Sequence, residues 1–324
     1  MQEYLAQMNN PILPTAIPCT ISDVERDTGV AKETLRVWER RYAFPKPERD
    51  PFGERLYPVE QVHKLRLVKR LIDLGFRPGK VIGYTTQELQ ALAEKTATGN
   101  RPRARGTAAD MQPYLDLCRS HQSDALRRRL SQALLVMRLR NFVIDLMSPL
   151  TTSVGDAWAC GDFGVWEEHL FTETLQMVMR SAIFSVPAAN PLSSAPRPRI
   201  LLTTTPQEKH GLGLLMSEAL MVADGASCIS LGVQTPLPDI VDAARALQVD
   251  IVALSFSTAM NTRHVIDALK ELRARLPEAV DIWAGGGNAA LRRRAPGFVQ
   301  VLTLQDIAGA LADWRLRARQ HYSA

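Results

Sequence analysis

What the chain lacks narrows its class before any motif is considered. No stretch approaches the roughly 18 uninterrupted apolar residues that a membrane span needs. The opening MQEYLAQMNN has no basic region followed by an apolar core, so a secretory leader is not expected. The four cysteines, Cys19, Cys118, Cys160 and Cys228, include no pair at C-x-x-C spacing. That argues against a zinc or dithiol site and suits reduced thiols in a cytoplasmic protein. With 46% hydrophobic and 23% charged residues over 324 positions, the chain is neither disordered nor a small disulfide scaffold, and its length suits two or three domains.

What is present is unevenly placed. The net charge is +5, and basic residues outnumber acidic ones by 15 to 13 in residues 1–95, by 12 to 9 in 96–200, and not at all in 201–324. An excess confined to the first two thirds is where a polyanion such as DNA could use it. Two stretches without hydrophobic periodicity, 96–110 and 186–199, read as linkers; the second carries Pro187, Pro191, Pro196 and Pro198. They leave segments of about 15–95, 110–186 and 198–320.

In the first segment, Ser22 reads as the cap of a helix that stops at Gly29. A second helix follows in AKETLRVWERRY, with Leu35 and Trp38 on one face. The proline-rich AFPKPERDPFGERLYP reads as a hairpin or wing, and residues 59–75 return to helical period. Together these make a winged helix-turn-helix. Lys32, Thr34 and Arg36 fall near the end of the recognition helix that reaches base edges. Arg40, Arg41 and Tyr42 stand at its other end, and Arg49 and Arg55 project from the wing toward phosphate. The residue types alone leave open a small helical domain with a solvated charged face.

The order of residues is more specific. The Thr34-Leu35-Arg36-x-Trp38-Glu39-Arg40-Arg41-Tyr42 run, then Arg55-Leu56-Tyr57 leaving the wing, then the turn at Gly75-Phe76 closely resemble the DNA-binding domain of MerR-family transcription regulators. The resemblance implies a homo-oligomer, dimer or tetramer, on a palindromic element of double-stranded promoter DNA, with Tyr57 among the residues that contact it. Cysteines are not placed as in the metal-sensing members, so a different effector is expected.

The middle segment reads as a helical bundle, with a long apolar-periodic run over 125–158 broken near Pro149 and a further helix from about Gly164 to Phe184. The last segment alternates short apolar strands with helices, the pattern of a parallel, Rossmann-like (flavodoxin-like) α/β sheet with its ligand beyond the strands' carboxyl ends. After the first of those strands comes Glu208-x-His210-x-x-Gly213. A metal-ligating imidazole needs its second nitrogen held by an acceptor, and Glu208 is placed for that. Gly213 permits close approach of a bulky ligand.

This segment resembles the cobalamin-binding domain of B12-dependent methyltransferases and mutases, whose Asp-x-His-x-x-Gly motif it carries with Glu for Asp. Ser255-Phe256-Ser257 stands at the family's Ser-x-Leu position, with Ser257 for Leu, and Gly285-Gly286-Gly287 at its Gly-Gly position. The resemblance implies that His210 is the lower axial ligand of cobalt and that Ser255 and the glycine run accommodate the displaced nucleotide tail. In the bundle, Trp158 is followed after nine residues by Glu168-His169. By itself this is an ordinary core tryptophan and a solvated helix face. Between the two flanking domains it resembles the adenosylcobalamin-dependent photoreceptor repressors of the CarH and LitR type. In the best-studied members a histidine follows the tryptophan and captures cobalt after light removes the adenosyl group. Here that residue is Ala159, so adenosylcobalamin capping is expected and a bis-histidine photoproduct is not.

The expectation is a multidomain, non-enzymatic, cytoplasmic regulator, a repressor by resemblance, that binds adenosylcobalamin and responds to light or cobalamin. Two alternatives remain open from sequence. One is a MerR-type activator with a degenerate, cobalamin-free domain that responds to a partner or another tetrapyrrole. The other is a corrinoid methyl-carrier protein, against which the DNA-binding segment speaks.

Overall fold

The computed structural model describes residues 18–99, 110–187 and 198–322. These divide into two compact bodies, the first holding the described residues up to 99 with Ala159–Asp162, the second the remainder. The expected linkers lie mostly outside the described residues. The first begins later than expected, because the helix Thr86–Gly99 runs through its opening residues.

In the first body, β1 (Cys19–Thr20) leads into α1 (Ile21–Thr28) and α2 (Lys32–Tyr42). The wing strands β2 (Glu48–Arg49) and β3 (Arg55–Tyr57) follow, then α3 (Val59–Asp73), α4 (Pro78–Val81) and α5 (Thr86–Gly99). The cap of α1 is Thr20 rather than Ser22. Asp23 closes a reciprocal box on Thr20, accepting from its backbone N at 3.1 Å and its hydroxyl at 2.6 Å. At the other end Gly29 adopts φ 69°, and its N–H closes on the Glu25 carbonyl. The wing is wider than a hairpin, since β1 pairs with the far side of β3 to give the antiparallel order β1-β3-β2.

Leu35 and Trp38 of α2 are buried with Val24, Tyr57, Leu65, Val68 and Leu71. Across this core Arg66 of α3 grips Asp27 of α1, its Nε 3.1 Å from both carboxylate oxygens and its Nη2 2.7 Å from Oδ2. Both side chains are nearly buried, so neither charge can fall back on water if its partner is lost.

The second body begins with α6 (Gln112–Arg119), α7 (Ser123–Asn141), a π-helical stretch Phe142–Met147, α8 (Ser148–Cys160) and α9 (Val165–Phe184). Helix α6 falls in the segment expected to be helical throughout, ahead of the long periodic run. Pro149 does not end the helix: the π-helical residues run straight into α8, so the proline stands inside a continuous helical run. The irregularity lies earlier, at Arg138 (φ 63°) and through the π-helical residues.

The α/β layer follows: β4 (Arg199–Thr203), α10 (Leu212–Ala223), β5 (Ser227–Gly232), α11 (Leu237–Ala246), β6 (Ile251–Ser255) and α12 (Thr262–Arg275). It ends with β7 (Asp281–Gly285), α13 (Ala289–Arg294), β8 (Val299–Leu302) and α14 (Ile307–Tyr322). Its five strands are all parallel, in the order β5-β4-β6-β7-β8. The order reverses between β4 and β6, and the crevice at their carboxyl ends is where such sheets hold ligands.

Side chains alternate between the two faces of the sheet. Ile200, Leu202, Ala253 and Trp283 pack with α10, α14 and the bundle residues Phe142, Leu146, Phe171, Leu175 and Met179 in one core. Leu201, Val252, Leu254 and Ile282 pack with α11 and α12 in another. Bundle and sheet therefore share a single core. Arg140 of α7 pairs with Asp224 just beyond α10, and Arg180 of α9 with Glu218 of α10 at 3.3 Å, adding two charged links at its edge.

Removal of one buried charge in the first body tests its assembly. Asp27→Ala is expected to lower the stability of that body by about 3 kcal/mol in urea unfolding. Replacing the pair by Asp27→Leu with Arg66→Met is expected to fall closer to wild type.

A candidate cofactor cradle and a candidate nucleic-acid face

Strand β4 ends at Thr203, and a turn closed by the Glu208 N–H on the Thr205 carbonyl at 2.9 Å brings Glu208 back against the sheet. The Thr204 hydroxyl fixes this loop, donating to the Glu208 carbonyl at 2.6 Å and accepting from the Gln234 N–H at 2.8 Å. Glu208 is thereby buried, with 1% of its side chain exposed, while His210 two residues on is half exposed.

One Glu208 oxygen, Oε1, takes both the backbone N–H of His210 at 2.9 Å and its ring Nδ1 at 2.6 Å. The other, Oε2, takes the Ser257 N–H from the loop after β6 at 2.6 Å. The Ser257 hydroxyl also meets His210 Nδ1, at 3.1 Å. With Nδ1 occupied by an acceptor, the tautomer is set and Nε2 carries the lone pair on the exposed side of the ring. Burial by itself pushes the Glu208 carboxyl up. Hydrogen bonds from the ring and backbone of His210 and from the backbone and hydroxyl of Ser257 together outweigh it and hold the carboxyl below its ordinary value.

The loop after β7 completes the cradle. Gly286 stands at φ 111°, and a Cβ there would lie 2.2 Å from the Phe256 carbonyl oxygen. Cβ atoms at Gly213 and Gly287 would lie 3.0 Å from Ser255 Oγ and 2.9 Å from Thr258 Cγ2. Asn288, buried and capping α13, sends its amide to the carbonyls of Ser257 and Met260, both at 2.9 Å. Thus Glu208, His210, Gly213, Ser255, Ser257 and Gly285–Gly287 are brought together at the switch point. Thr204 and Asn288 escaped the sequence reading, although an Asn directly after a glycine run and before a helical pattern is a recognisable cap signal.

Trp158 is partly buried at the end of α8, packed against the shared core. Ala159, after it, is buried. Glu168 lies in the first turn of α9, accepting from the Thr172 hydroxyl at 2.7 Å, and its neighbour His169 is exposed with its Nε2 3.7 Å from a Glu168 oxygen. No described contact joins Glu168 or His169 to the Glu208–His210–Ser257 cluster.

On the recognition helix, Arg36, Arg40 and Arg41 are exposed, as is Arg49 on the wing; Lys32, Thr34 and Tyr42 are half buried. Lys32 is drawn to Glu25, its backbone N–H at 3.1 Å and its Nζ at 3.6 Å. Arg49 donates to the Gly53 carbonyl at the wing turn. Tyr57 differs from expectation: it is fully buried and cannot present its ring to DNA. Its hydroxyl donates to Glu39 Oε1 at 2.7 Å, while Arg55 Nε donates to Glu39 Oε2 at 3.0 Å. Burial, then the hydrogen bond and charge of Glu39, push the Tyr57 phenol well up, so it remains a donor. Glu39, a carboxylate in a basic helix, thus joins the wing to the recognition helix and leaves the outer nitrogens of Arg55 available.

With that geometry in view, comparison with known proteins places the parts. Residues 19–88 match the MerR HTH family regulatory protein model, and residues 111–182 and 198–306 match two models described as B12 binding domain. The chain thus combines a MerR-family regulatory domain with a B12-binding domain in two parts. Over most of its length it is similar to the HTH-type transcriptional repressor CarH of Myxococcus xanthus, 29% identical over 81% of this chain and 86% of that one. It is similar also to the repressor CarA of the same organism, 28% identical over 84% of this chain and 88% of that one. Among solved structures it is similar to the Methanosarcina barkeri monomethylamine corrinoid protein, 15% identical over 62% of this chain and 96% of that one, with a TM-score of 0.48. Among the described residues, no helix is long and apolar enough to cross a membrane.

Two outcomes test the cradle without any ligand. Because the folded Glu208 carboxyl is held below 4.5, its contribution is complete above that value and is lost as pH falls through the folded value. Thermal unfolding of the second body should therefore lose stability more steeply below about pH 4.5 in the wild type than in Glu208→Gln. Gly286→Ala should cost about 3 kcal/mol in chemical unfolding, since neither the backbone angle nor the Phe256 carbonyl can yield cheaply.

Proposed function

We propose that this chain is a cytoplasmic transcriptional repressor that binds adenosylcobalamin and changes its grip on promoter DNA when light or cobalamin supply alters the cofactor. The observation that carries the reading is the Glu208–His210–Ser257 cluster, which presents one imidazole nitrogen at the mouth of a glycine-lined cradle. At Gly213, Gly286 and Gly287 a Cβ would meet Ser255, Phe256 and Thr258, so glycine lets the loops around His210 close on one another, and the fully buried Thr205 hydroxyl, without a partner among the described residues, is a further polar group just beyond β4.

In this reading His210 Nε2 would hold the cobalt, with Glu208 and Ser257 keeping the ring in the tautomer that can do so. Gly213, Ser255 and Gly285–Gly287 would hold the cofactor's nucleotide tail. Trp158, Glu168 and His169 of the bundle would cap the adenosyl group. Adenosylcobalamin supplies, when bound, a cobalt–carbon bond that light can break. The chain's own contribution is selective binding, with no turnover. Ala159 offers no ring to the upper side, so a photoproduct held by two histidines, with one at that position, is not expected.

DNA is held by the first body acting as a homo-oligomer on a palindromic element. Lys32, Thr34 and Arg36 read base edges, while Arg40, Arg41, Tyr42, Arg49 and Arg55 hold the backbone, with Tyr57 acting through Glu39. Cofactor and DNA occupancy are then linked: the factor by which bound cofactor changes the DNA affinity is the factor by which bound DNA changes the cofactor affinity.

Mixing the protein with adenosylcobalamin in darkness, desalting, and recording the visible spectrum before and after green light tests the reading. Retained cofactor with an irreversible spectral change, and a dark spectrum lacking the histidine-coordinated form in His210→Ala, is the expected result. Retention without a light-induced change leaves a cobalamin sensor. No retention removes the cofactor and leaves a DNA-binding regulator with a repurposed domain.

A further inference from the structure

Residues 282–305 contain no acidic side chain, yet they carry three consecutive arginines, Arg292, Arg293 and Arg294, in the last turn of α13. All three are exposed, and among the described residues none has a carboxylate or carbonyl partner. Most other arginines of the α/β layer behave differently. Arg263 lies against Asp267, Arg275 against Glu271 and Arg317 against Asp281. The bundle's own run of three is engaged in part, with Arg127 on Asp124 and Arg129 over the Tyr114 ring. Exposed arginines without a partner recur at Arg36 and Arg40, on the face that the first body offers to DNA.

We propose that Arg292, Arg293 and Arg294 form a second, sequence-independent contact to the DNA phosphate backbone, separate from the helix-turn-helix. The proposal rests on the DNA-binding reading above. Successive helix positions turn by about 100°, so three adjacent guanidiniums cannot converge on one small anion. They suit a polymer whose charges are spread along its length, and double-stranded DNA presents one charge about every 1.7 Å. A favourable interaction with the helix dipole explains a cation at this end of α13 but not three that are all left unpaired.

The test is the salt dependence of binding of the full chain to a random-sequence duplex of about 60 base pairs, long enough for several phosphate contacts. Replacing all three (Arg292→Ser, Arg293→Ser, Arg294→Ser) is expected to weaken binding and flatten the slope of log K against log salt by about two to three. Replacing all three by Lys should leave the slope unchanged, since a phosphate contact needs only the charge. Each single Ser variant should flatten it by no more than about one. A wild-type slope in the triple Ser variant overturns the proposal alone, and so does weaker binding at unchanged slope. Normal DNA binding together with lost transcriptional control would instead assign the patch to an acidic protein surface. If the wild-type chain binds no duplex at low salt, the DNA-binding reading itself falls.

Discussion

The Glu208 carboxylate is the point at which the loops after β4 and β6 are joined, and the candidate site depends on that junction. One oxygen holds the backbone and ring of His210, the other the backbone of Ser257. The loop after β7 is then tied to the loop after β6 by Asn288. Burying a carboxylate this deeply is unfavourable unless every acceptor site finds a donor, and here backbone N–H groups from two loops supply them. The extra methylene of Glu relative to Asp does not break the contact with the imidazole, because the loop closed by Thr204 brings the carboxyl back to the ring.

The first body repeats the device with different chemistry. Glu39 takes Arg55 on one oxygen and Tyr57 on the other, so a single carboxylate sets the wing against the recognition helix. In both bodies the orienting carboxylate is the more buried partner: Glu208 beneath a half-exposed His210, and Glu39 beneath a partly exposed Arg55. That division keeps the orienting interaction away from competing water while leaving the presented group free to exchange water for ligand.

The fold was legible where periodicity and punctuation agree. The five parallel strands of the α/β layer and the stop at Gly29 follow from short apolar runs and from a glycine at positive φ. What stayed hidden depends on tertiary partners. β1 is two residues long and exists only because β3 offers an edge. Thr20 rather than Ser22 caps α1 because the reciprocal bond to Asp23 is a matter of geometry. Pro149 reads as a breaker, yet the helix runs through it and the irregularity is the π-helical stretch just before it. In the site, Glu208, His210 and the glycine run were visible as a motif. Tyr57 was misplaced because its aromatic and polar character suits both a DNA contact and a buried strut. Asn288 was missed because its value lies in two carbonyls from a loop some thirty residues earlier.

The core shared by bundle and sheet has an evolutionary reading. Phe171 and Leu175 on one side, Ile200 and Trp283 on the other, contribute to the same packed interior. A recombination event that joined this sheet to a bundle from a distant relative would inherit two half-interiors shaped by different histories. The bundle and the α/β layer are therefore expected to travel through gene shuffling as one heritable piece. The DNA-binding segment, which keeps a separate core of its own, can be exchanged far more freely.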